Sequence, residues 1–214
     1  MRIIDVPQRS PEWFTARLGK LTGSRASDML ATGATPKKEA AGRRNLRVQL
    51  VLERITGRSQ ERGYVSAAMQ QGIDREVDAY ATYEALTGRL LTSSGFIAHD
   101  TVQAGCSLDG HVGDFEGIIE IKSPIPATHL DYLKTGKIPG DYYAQIVHGL
   151  WLTGAQWCDW LSYNPDFPEP LQVKLVRVVR NEAEIDNYEV MARAFLAEVE
   201  KETAAVEQMA GAVA

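Results

Sequence analysis

The chain has 214 residues, of which 44% are hydrophobic and 24% are charged, and its formal net charge is −5. This length and composition predict one globular domain, and no apolar run approaches the roughly 18 residues of a membrane-spanning helix. The N-terminus, MRIIDVPQRS, lacks the apolar stretch of a signal peptide, and two cysteines are too few for a disulfide framework. These features exclude membrane proteins and disulfide-rich secreted domains, and they predict a cytoplasmic protein.

The charge is unevenly distributed along the chain. Residues 1–64 carry 13 lysines and arginines against 6 acidic residues, whereas residues 65–214 carry 10 against 22. A basic third beside an acidic remainder suits a protein that binds phosphates with one part and cations with the other. An ordinary solvated surface explains the same charges, so the asymmetry alone assigns no function.

The first half of the chain is predicted to be helical. In chain order it contains two short helices joined by a glycine turn, a polar loop, an amphipathic helix, a basic loop and a longer helix, over residues 11–30, 31–40, 40–57, 57–66 and 67–88. Ser24 is predicted to open the second helix, and Gly57 and Gly88 to end the two longer ones. The apolar stripe of the last helix comprises Met69, Ile73, Val77, Tyr80, Tyr83 and Leu86.

The second half is rich in β-branched and aromatic segments bounded by turn residues. Such segments predict five strands, over residues 90–98, 103–112, 115–124, 156–164 and 171–179. Two helices, PATHLDYLKTG and DYYAQIVHGLWLTG, lie between the third and fourth strands, and a long C-terminal helix opens at Asn181. The pattern predicts an α/β fold with a central mixed β-sheet flanked by helices.

Three ionisable side chains interrupt the apolar strands. Glu120 and Lys122 lie two residues apart on one strand, so both point to the same face. The preceding strand delivers Asp109, and because Gly110 lets the chain turn, a hairpin would place Asp109 opposite Glu120. Two close carboxylates require a cation that neutralises their charge. Mg²⁺ is such a cation, because it binds preferentially to oxygen ligands. The carbonyl of Ile121 would add another oxygen ligand.

A metal ion and an amine beside a phosphodiester are the parts of a hydrolytic site. Lys122 would orient or deprotonate a water, or stabilise negative charge on a phosphate, and a second ion would clamp the attacking and leaving oxygens. The alternative is a surface hairpin in which Glu120 and Lys122 form an ion pair that contributes little. Asp114 and Glu116, in the same hairpin, are interpreted as solvated turn residues.

Five motifs occur in a fixed order over residues 8 to 165. They are QRSPEWFTARLGKLTGS, GIDRE, CSLDG, EIKSP and YYAQIVHGLWLTG. On these motifs the chain resembles the phage lambda-type exonucleases, which form the YqaJ-like viral recombinase family within the PD-(D/E)xK nucleases. Leu108 departs from the proline that the family commonly has in its CSLDG-like motif.

The resemblance implies a function and a set of partners. It implies a Mg²⁺-dependent 5′→3′ exonuclease that degrades one strand of linear double-stranded DNA to mononucleotides and leaves 3′ overhangs for phage-type recombination. It also implies two Mg²⁺ ions, with Mn²⁺ as the alternative ion, a homotrimeric ring around DNA ends, and a single-strand-annealing recombinase as a prophage-encoded partner. Residues 1–214 would form one nuclease domain, with basic DNA-binding helices and loops over 1–64, a catalytic core over 65–180 and a C-terminal helix over 181–214.

The resemblance also implies a role for individual residues around the metal ions. Asp109, Glu120 and the Ile121 carbonyl would hold the shared metal ion. Glu76, in the predicted helix over 67–88, would hold the second ion or its water. Lys122 would activate the nucleophile.

The remaining assignments concern the DNA and the attacking water. Gln145 would position that water or the lysine. Arg17, Ser24 and Ser107 would form a pocket for the terminal 5′-phosphate, for which a guanidinium and two hydroxyls are suitable donors. Met69 would be an apolar wedge that helps to separate the strands, unless it belongs to the helix core.

Two alternative functions are compatible with part of this predicted site. An endonuclease of restriction or junction-cleaving type would need the metal site but no 5′-phosphate pocket, and a closed-circle substrate separates the two activities. A non-catalytic DNA-end-binding module would have lost Asp109, Glu120 or Lys122, and none is lost. Part of the basic segment 36–62 is expected to line a DNA channel, since sequence-independent binding depends on phosphate contacts.

Overall fold

The computed structural model of the chain describes residues 1–35, 38–60 and 67–211, with residues 67–69 described by their backbone only. The α-helices of this part are α1 Pro11–Arg17, α2 Ala26–Leu30, α3 Ala41–Thr56, α4 Ala67–Thr87, α5 Pro126–Thr135, α6 Gly140–Thr153 and α7 Glu182–Gly211. Its strands are β1 Arg2–Ile4, β2 Leu21–Thr22, β3 Phe96–Ala98, β4 Ala104–Cys106, β5 Gly110–Val112, β6 Gly117–Lys122, β7 Trp157–Tyr163 and β8 Val173–Val179. None of the described helices is long and apolar enough to cross a membrane.

The predicted α/β class and the long C-terminal helix are confirmed, but the strands form two mixed sheets of four strands instead of one. The first sheet has the order β1-β3-β4-β2. The sequence predicts neither β1 nor β2, because strands of two or three residues are too short for a period-two signal. Since β2 and β4 run parallel, the residues that follow them, Ser24 and Ser107, lie at the same end of this sheet.

The second sheet has the order β5-β6-β7-β8 and carries the charged hairpin. Strands β5 and β6 pair antiparallel with Gly110 opposite Ile119, which confirms the predicted hairpin. The predicted strand over 103–112 is wrong in one respect, because it splits into β4 and β5, which belong to different sheets. The break falls at residues 107–109, so Asp109 lies just before β5 and outside the strand ladder.

Helix α6 is buried over most of its length and packs against both β4 and β6. Its close approach to β6 requires Gly149, since a Cβ atom there would lie 2.9 Å from the Ile118 side chain. Gln145 lies one turn earlier on the same face of the helix. The packing of Gly149 therefore places Gln145 over β6, at Glu120.

Helices α3 and α7 are joined by ion pairs that use part of the basic segment. Arg43 pairs with Glu198 through two hydrogen bonds of 2.8 and 2.9 Å, and Arg54 pairs with Glu200 at 3.0 Å. Arg47 contacts Glu202 on the same helix. These three arginines therefore stabilise helix packing. The other basic residues of the segment remain the candidates for a DNA-lining surface. Two of them, Lys37 and Arg62, lie outside the described residues.

Two details of the predicted helices are wrong. Ser24 does not open a helix, because it lies inside the 3₁₀ turn Gly23–Arg25 that precedes α2. In α4, Val77 is 76% exposed and Leu86 is 59% exposed, whereas Tyr83 is fully buried, as is Ala79. The helix thus packs through a face that includes a small residue, which an apolar stripe of large side chains does not reveal.

Candidate active site

Asp109 and Ile121 meet where the hairpin opens. The pairing of Gly110 with Ile119, extended by one residue, brings Asp109 beside Glu120. The Ile121 N–H donates a hydrogen bond of 2.6 Å to Asp109 Oδ2. Because the N–H and C=O of one strand residue point to the same edge, the Ile121 carbonyl also lies on the side of Asp109.

Glu120 is buried, with 5% of its surface exposed. Its Oε2 accepts a hydrogen bond of 2.8 Å from the Gln145 amide, and its Oε1 is in ionic contact with the Lys122 ammonium. The Lys122 ammonium also lies 4.8 Å from the centre of the Tyr142 ring. The predicted same-face arrangement of Glu120 and Lys122 is therefore present.

The close charges change the protonation of the site. Loss of water around Asp109, and then the negative charge of Glu120, raise the pKa of Asp109 to about 7. Burial opposes the charge on Lys122, but the Glu120 and Asp109 carboxylates outweigh it, so the pKa of Lys122 is above its ordinary value. Lys122 is therefore a charged ammonium that offsets part of the negative charge of two carboxylates.

Glu76 approaches this group from α4. It lies near enough to Asp109 to contribute to the raised pKa of that carboxyl. Its Oε2 accepts a hydrogen bond of 3.2 Å from Arg9. Among the described residues no three side chains of His, Cys, Asp or Glu form a ready-made metal cluster. The structure brings Asp109 and Glu120 together, and Glu76 lies beside them and pairs with Arg9.

A buried network that the sequence analysis missed ties α4 to the second sheet. The Tyr83 hydroxyl donates a hydrogen bond of 2.8 Å to Asp159, and Arg177 donates two bonds of 2.7 Å to the same carboxylate. Tyr83 lies about two turns after Glu76 on the same helix. The network thus orients the helix that carries Glu76, and the only sequence signal for it was an aspartate inside the apolar strand β7.

The three residues predicted to bind a 5′-phosphate line one cavity of about 50 Å³ with Glu120 and Gln145. Arg17, Ser24 and Ser107 come from the end of α1, the 3₁₀ turn and the end of β4. Their grouping follows from the parallel pairing of β2 with β4, which ends both strands at this cavity.

Trp13 supports this cavity in a way that the sequence did not indicate. Its indole N–H donates a hydrogen bond of 2.8 Å to the Ser107 hydroxyl, and the Arg17 guanidinium lies 4.1 Å from its ring centre. Trp13 thus helps to fix two of the three cavity residues. The Met69 side chain, the predicted wedge, lies outside the described residues.

The donors around Asp109 and Glu120 suit a hard divalent cation. Both carboxylates are close together, and the nearby Ile121 carbonyl is a further oxygen donor. Oxygen ligands of this kind are those that Mg²⁺ and Mn²⁺ use. The adjoining cavity offers a guanidinium and two hydroxyls, so a phosphate placed there would lie next to the carboxylates.

His148 is a packing residue although it lies one turn from Gln145. It is fully buried, with Nδ1 2.7 Å from the Tyr188 hydroxyl and Nε2 3.0 Å from the Gly105 carbonyl oxygen. Burial lowers its pKa to about 4. His111 is also buried, stacked 4.0 Å from Phe115 in the β5–β6 hairpin.

The lowered pKa of His148 predicts that this residue's contribution to stability is lost in acid. A histidine whose folded pKa lies below its ordinary value of about 6.5 takes up a proton more readily when unfolded, so stability is lost as pH falls from about 6.5 towards 4. The His148 contribution lost between pH 6.5 and 5 is about 2 kcal/mol, at about 1.4 kcal/mol per pH unit. Urea unfolding at both pH values should show that the stability of the wild type relative to His148→Gln falls by about this amount; an unchanged difference between the two proteins would contradict the assignment.

Comparison with known proteins agrees with the predicted family and fold class. The family described as the YqaJ-like viral recombinase domain matches residues 12–156. The crystal structure of an alkaline exonuclease from Laribacter hongkongensis is 39% identical, with a TM-score of 0.86 over 96% of this chain and 100% of that one, and the same enzyme in complex with dAMP matches equally well. A phage-related exonuclease from Haemophilus somnus 129PT shares the fold, with a TM-score of 0.68 at 13% identity over 89% of this chain and 96% of that one. No match was found among curated protein sequences.

Proposed function

Because the chain belongs to the family of YqaJ-like viral recombinase domains, we propose that it is a Mg²⁺-dependent exonuclease that degrades one strand of linear double-stranded DNA in the 5′→3′ direction. The family and the 39% identical alkaline exonuclease support a nuclease function. The observation that carries the finer proposal is the cavity in which Arg17, Ser24 and Ser107 adjoin Glu120. A terminal phosphate bound there would place the first phosphodiester of a strand beside the carboxylates.

Asp109, Glu120 and the Ile121 carbonyl would hold one divalent ion, and Glu76 would contribute to a second. Two bound ions would supply charge stabilisation to the attacking and leaving oxygens of the phosphodiester. Mg²⁺ is the proposed ion and Mn²⁺ the alternative, since both accept all-oxygen ligands. The closeness of the Asp109 and Glu120 carboxylates, which contributes to the raised pKa of Asp109, supports this fit.

The protein side chains have separate tasks in the proposed reaction. Lys122, held charged by its two acidic neighbours, donates a hydrogen bond from its ammonium to a phosphate oxygen or to the attacking water and stabilises negative charge there. Gln145 keeps Glu120 in one orientation through its hydrogen bond of 2.8 Å. Arg17 and the two serines bind the terminal phosphate and thereby select 5′ ends.

The products and partners follow from the same site. Release of mononucleotides is supported by the complex of the Laribacter hongkongensis exonuclease with dAMP. We propose that residues 1–214 act as one nuclease domain, that three copies form a ring around the DNA, and that the 3′ overhang passes to a single-strand-annealing recombinase. The other basic residues of segment 36–62 would contact backbone phosphates, which contribute most of sequence-independent affinity.

Digestion of DNA with defined ends tests the proposal. Linear duplexes with 5′-phosphate or 5′-hydroxyl ends, and a closed circle without nicks, are incubated with the protein and Mg²⁺. We expect mononucleotides to appear fastest from the phosphorylated ends and no product from the circle. Cleavage of the circle would replace the exonuclease by an endonuclease with the same metal site, and duplex binding without any metal-dependent cleavage would indicate a non-catalytic module.

Arg17→Gln tests the phosphate pocket separately. The substitution keeps hydrogen-bond donors but removes the charge, so we expect the preference for phosphorylated over hydroxyl ends to fall about tenfold or more, since charge-assisted bonds are roughly twice as strong as neutral ones. The ratio of the two initial rates measures this preference independently of protein concentration. An unchanged ratio in Arg17→Gln would place the selection of 5′ ends elsewhere in the chain.

A further inference from the structure

Arg9 has a backbone conformation that is unusual for its residue type. Its φ is 68°, and Phe115 is the one other non-glycine residue with positive φ in the described part of the chain. Side chains with a Cβ atom are strained in this region, and such strain persists only where the surroundings impose it. A strained arginine next to a proposed active site therefore requires an explanation.

Both neighbours of Arg9 are held by hydrogen bonds, and one of these bonds lies at the candidate active site. The Gln8 amide donates a hydrogen bond of 2.8 Å to the carbonyl of Leu108, the residue before Asp109. The Ser10 hydroxyl caps α1 by accepting a hydrogen bond of 3.2 Å from the Trp13 N–H. The backbone of Arg9 is thus held between the Asp109 loop and the first helix.

This backbone directs the Arg9 guanidinium to Glu76. Its Nη2 donates a hydrogen bond of 3.2 Å to Glu76 Oε2. Within the described residues, no other side chain bonds to Glu76. The contact engages one carboxylate oxygen and leaves Oε1 as the free acceptor of a side chain that lies close to Asp109.

We propose that Arg9 is a positioning residue that fixes Glu76 in the orientation in which it receives a divalent cation or its bound water. The inference rests on the proposed function, since it concerns the same carboxylates. Carboxylates that bind metals are commonly oriented by hydrogen bonds from outside the ligand set, and loss of such a partner weakens metal binding about 10- to 100-fold. The strained backbone of Arg9 holds the guanidinium in place before the cation arrives.

A positive charge beside a cation site also repels the cation. The effect of removing Arg9 on metal affinity therefore depends on whether this repulsion or the orientation of Glu76 is the larger contribution. The Arg9 and Glu76 side chains are 51% and 34% exposed, and repulsion through water at such exposure is strongly screened. A free glutamate side chain, in contrast, loses a large conformational entropy when it binds a metal. Orientation therefore outweighs repulsion, and removal of Arg9 should weaken metal binding.

Arg9→Gly separates this role from a structural one. Glycine adopts a φ of 68° without strain, so the variant loses the guanidinium but should not unfold at a lower temperature. Calorimetric titration of the full chain with Mn²⁺, without DNA, should show about a tenfold weaker dissociation constant. Arg9→Lys should recover part of the loss, and Arg58→Gly, at an exposed loop arginine, should bind Mn²⁺ like the wild type.

A double-mutant cycle with Glu76→Gln completes the test. If Arg9 acts through Glu76, Arg9→Gly should cause no further loss of Mn²⁺ affinity in the Glu76→Gln background. An equal loss in both backgrounds, or an Mn²⁺ affinity that Arg9→Gly leaves unchanged or increases, would overturn the proposal. Weaker binding of duplex DNA in Ca²⁺ with unchanged Mn²⁺ affinity would instead make Arg9 a phosphate contact.

The two proposals can fail separately in this design. If the wild type binds Mn²⁺ and Arg9→Gly weakens it, but no DNA is hydrolysed, the exonuclease proposal fails and the role of Arg9 stands. If DNA is hydrolysed and Arg9→Gly binds Mn²⁺ normally, only the role of Arg9 fails. A wild type that binds no Mn²⁺ at all would overturn both.

Discussion

Asp109→Asn is expected to reduce the rate of DNA hydrolysis by about a thousandfold, the upper range for loss of one preorganised electrostatic group. The amide keeps the size of the carboxylate but cannot carry the negative charge that a divalent cation needs. Asp114→Asn is the matched control, because Asp114 is an exposed aspartate of the same hairpin. We expect it to retain wild-type activity, as measured by release of nucleotides from 5′-phosphorylated linear duplex in Mg²⁺.

The same substitution should stabilise the protein in EDTA. The pKa of Asp109 is raised to about 7 by burial and by Glu120, whereas an ordinary aspartate has a pKa of about 3.9. A raised carboxyl pKa means that stability is fully present below about pH 4 and is lost as pH rises through about 7. The loss amounts to at most about 4 kcal/mol, from 1.4 kcal/mol per unit of pKa, and asparagine avoids it.

Thermal unfolding in EDTA at pH 4.5 and pH 8 measures this effect. The melting temperature of Asp109→Asn should exceed that of the wild type at pH 8, and the difference should shrink at pH 4.5, where Asp109 is protonated. An inactive variant that is also more stable is typical of residues selected for function. A variant that loses both activity and stability at pH 8 would show that the Asp109 charge contributes to folding, contrary to its position beside Glu120.

The part of the site that the sequence predicted depends on short-range geometry. Glu120 and Lys122 share a face because strand side chains alternate, and Asp109 reaches them because Gly110 and Ile119 pair in a tight hairpin. These relations span fewer than fifteen residues and follow from local periodicity. The long helices α3, α4 and α7 were predictable for the same reason, since the helical period repeats many times within each of them.

The part that the sequence did not predict depends on pairing between distant segments. Strand β2 has two residues, yet its pairing with β4 determines that Ser24 and Ser107 share a cavity. The hydrogen bond from Trp13 to Ser107 joins residues 94 positions apart. The Arg9–Glu76 pair spans 67 positions. An arginine in the sequence does not indicate a positive φ, so the left-handed backbone of Arg9 was not predictable.

Arginines 43, 47 and 54 illustrate how composition alone misleads. Their charges contribute to the basic character of the N-terminal third, but each of them has an acidic partner in α7, about 150 residues away. A net charge counted over a stretch of sequence cannot include partners from another stretch. The family motifs specify residues and their order instead of charge, and the three residues that they name for a phosphate pocket line one cavity.

Lys122→Met is expected to abolish hydrolysis to a similar extent as Asp109→Asn, by about a thousandfold, but with the opposite effect on stability. Methionine has a similar length and fills the space of the lysine stem without a charge. Glu120, which is buried, would then lose the cation that contacts its Oε1. Removing one partner of a buried ion pair costs about 3 kcal/mol or more, so the melting temperature in EDTA should fall.

Metal binding should distinguish this variant further. Without the ammonium, Asp109 and Glu120 carry more uncompensated negative charge, so Mn²⁺ should bind Lys122→Met more tightly than the wild type and recover much of the lost stability. Calorimetric titration and thermal unfolding with and without Mn²⁺ measure the two effects, with Lys134→Met at an exposed position of α5 as the control. Tighter metal binding together with lost hydrolysis would assign Lys122 to the chemical step. If the lysine only balanced charge, the added Mn²⁺ would replace it and hydrolysis would return.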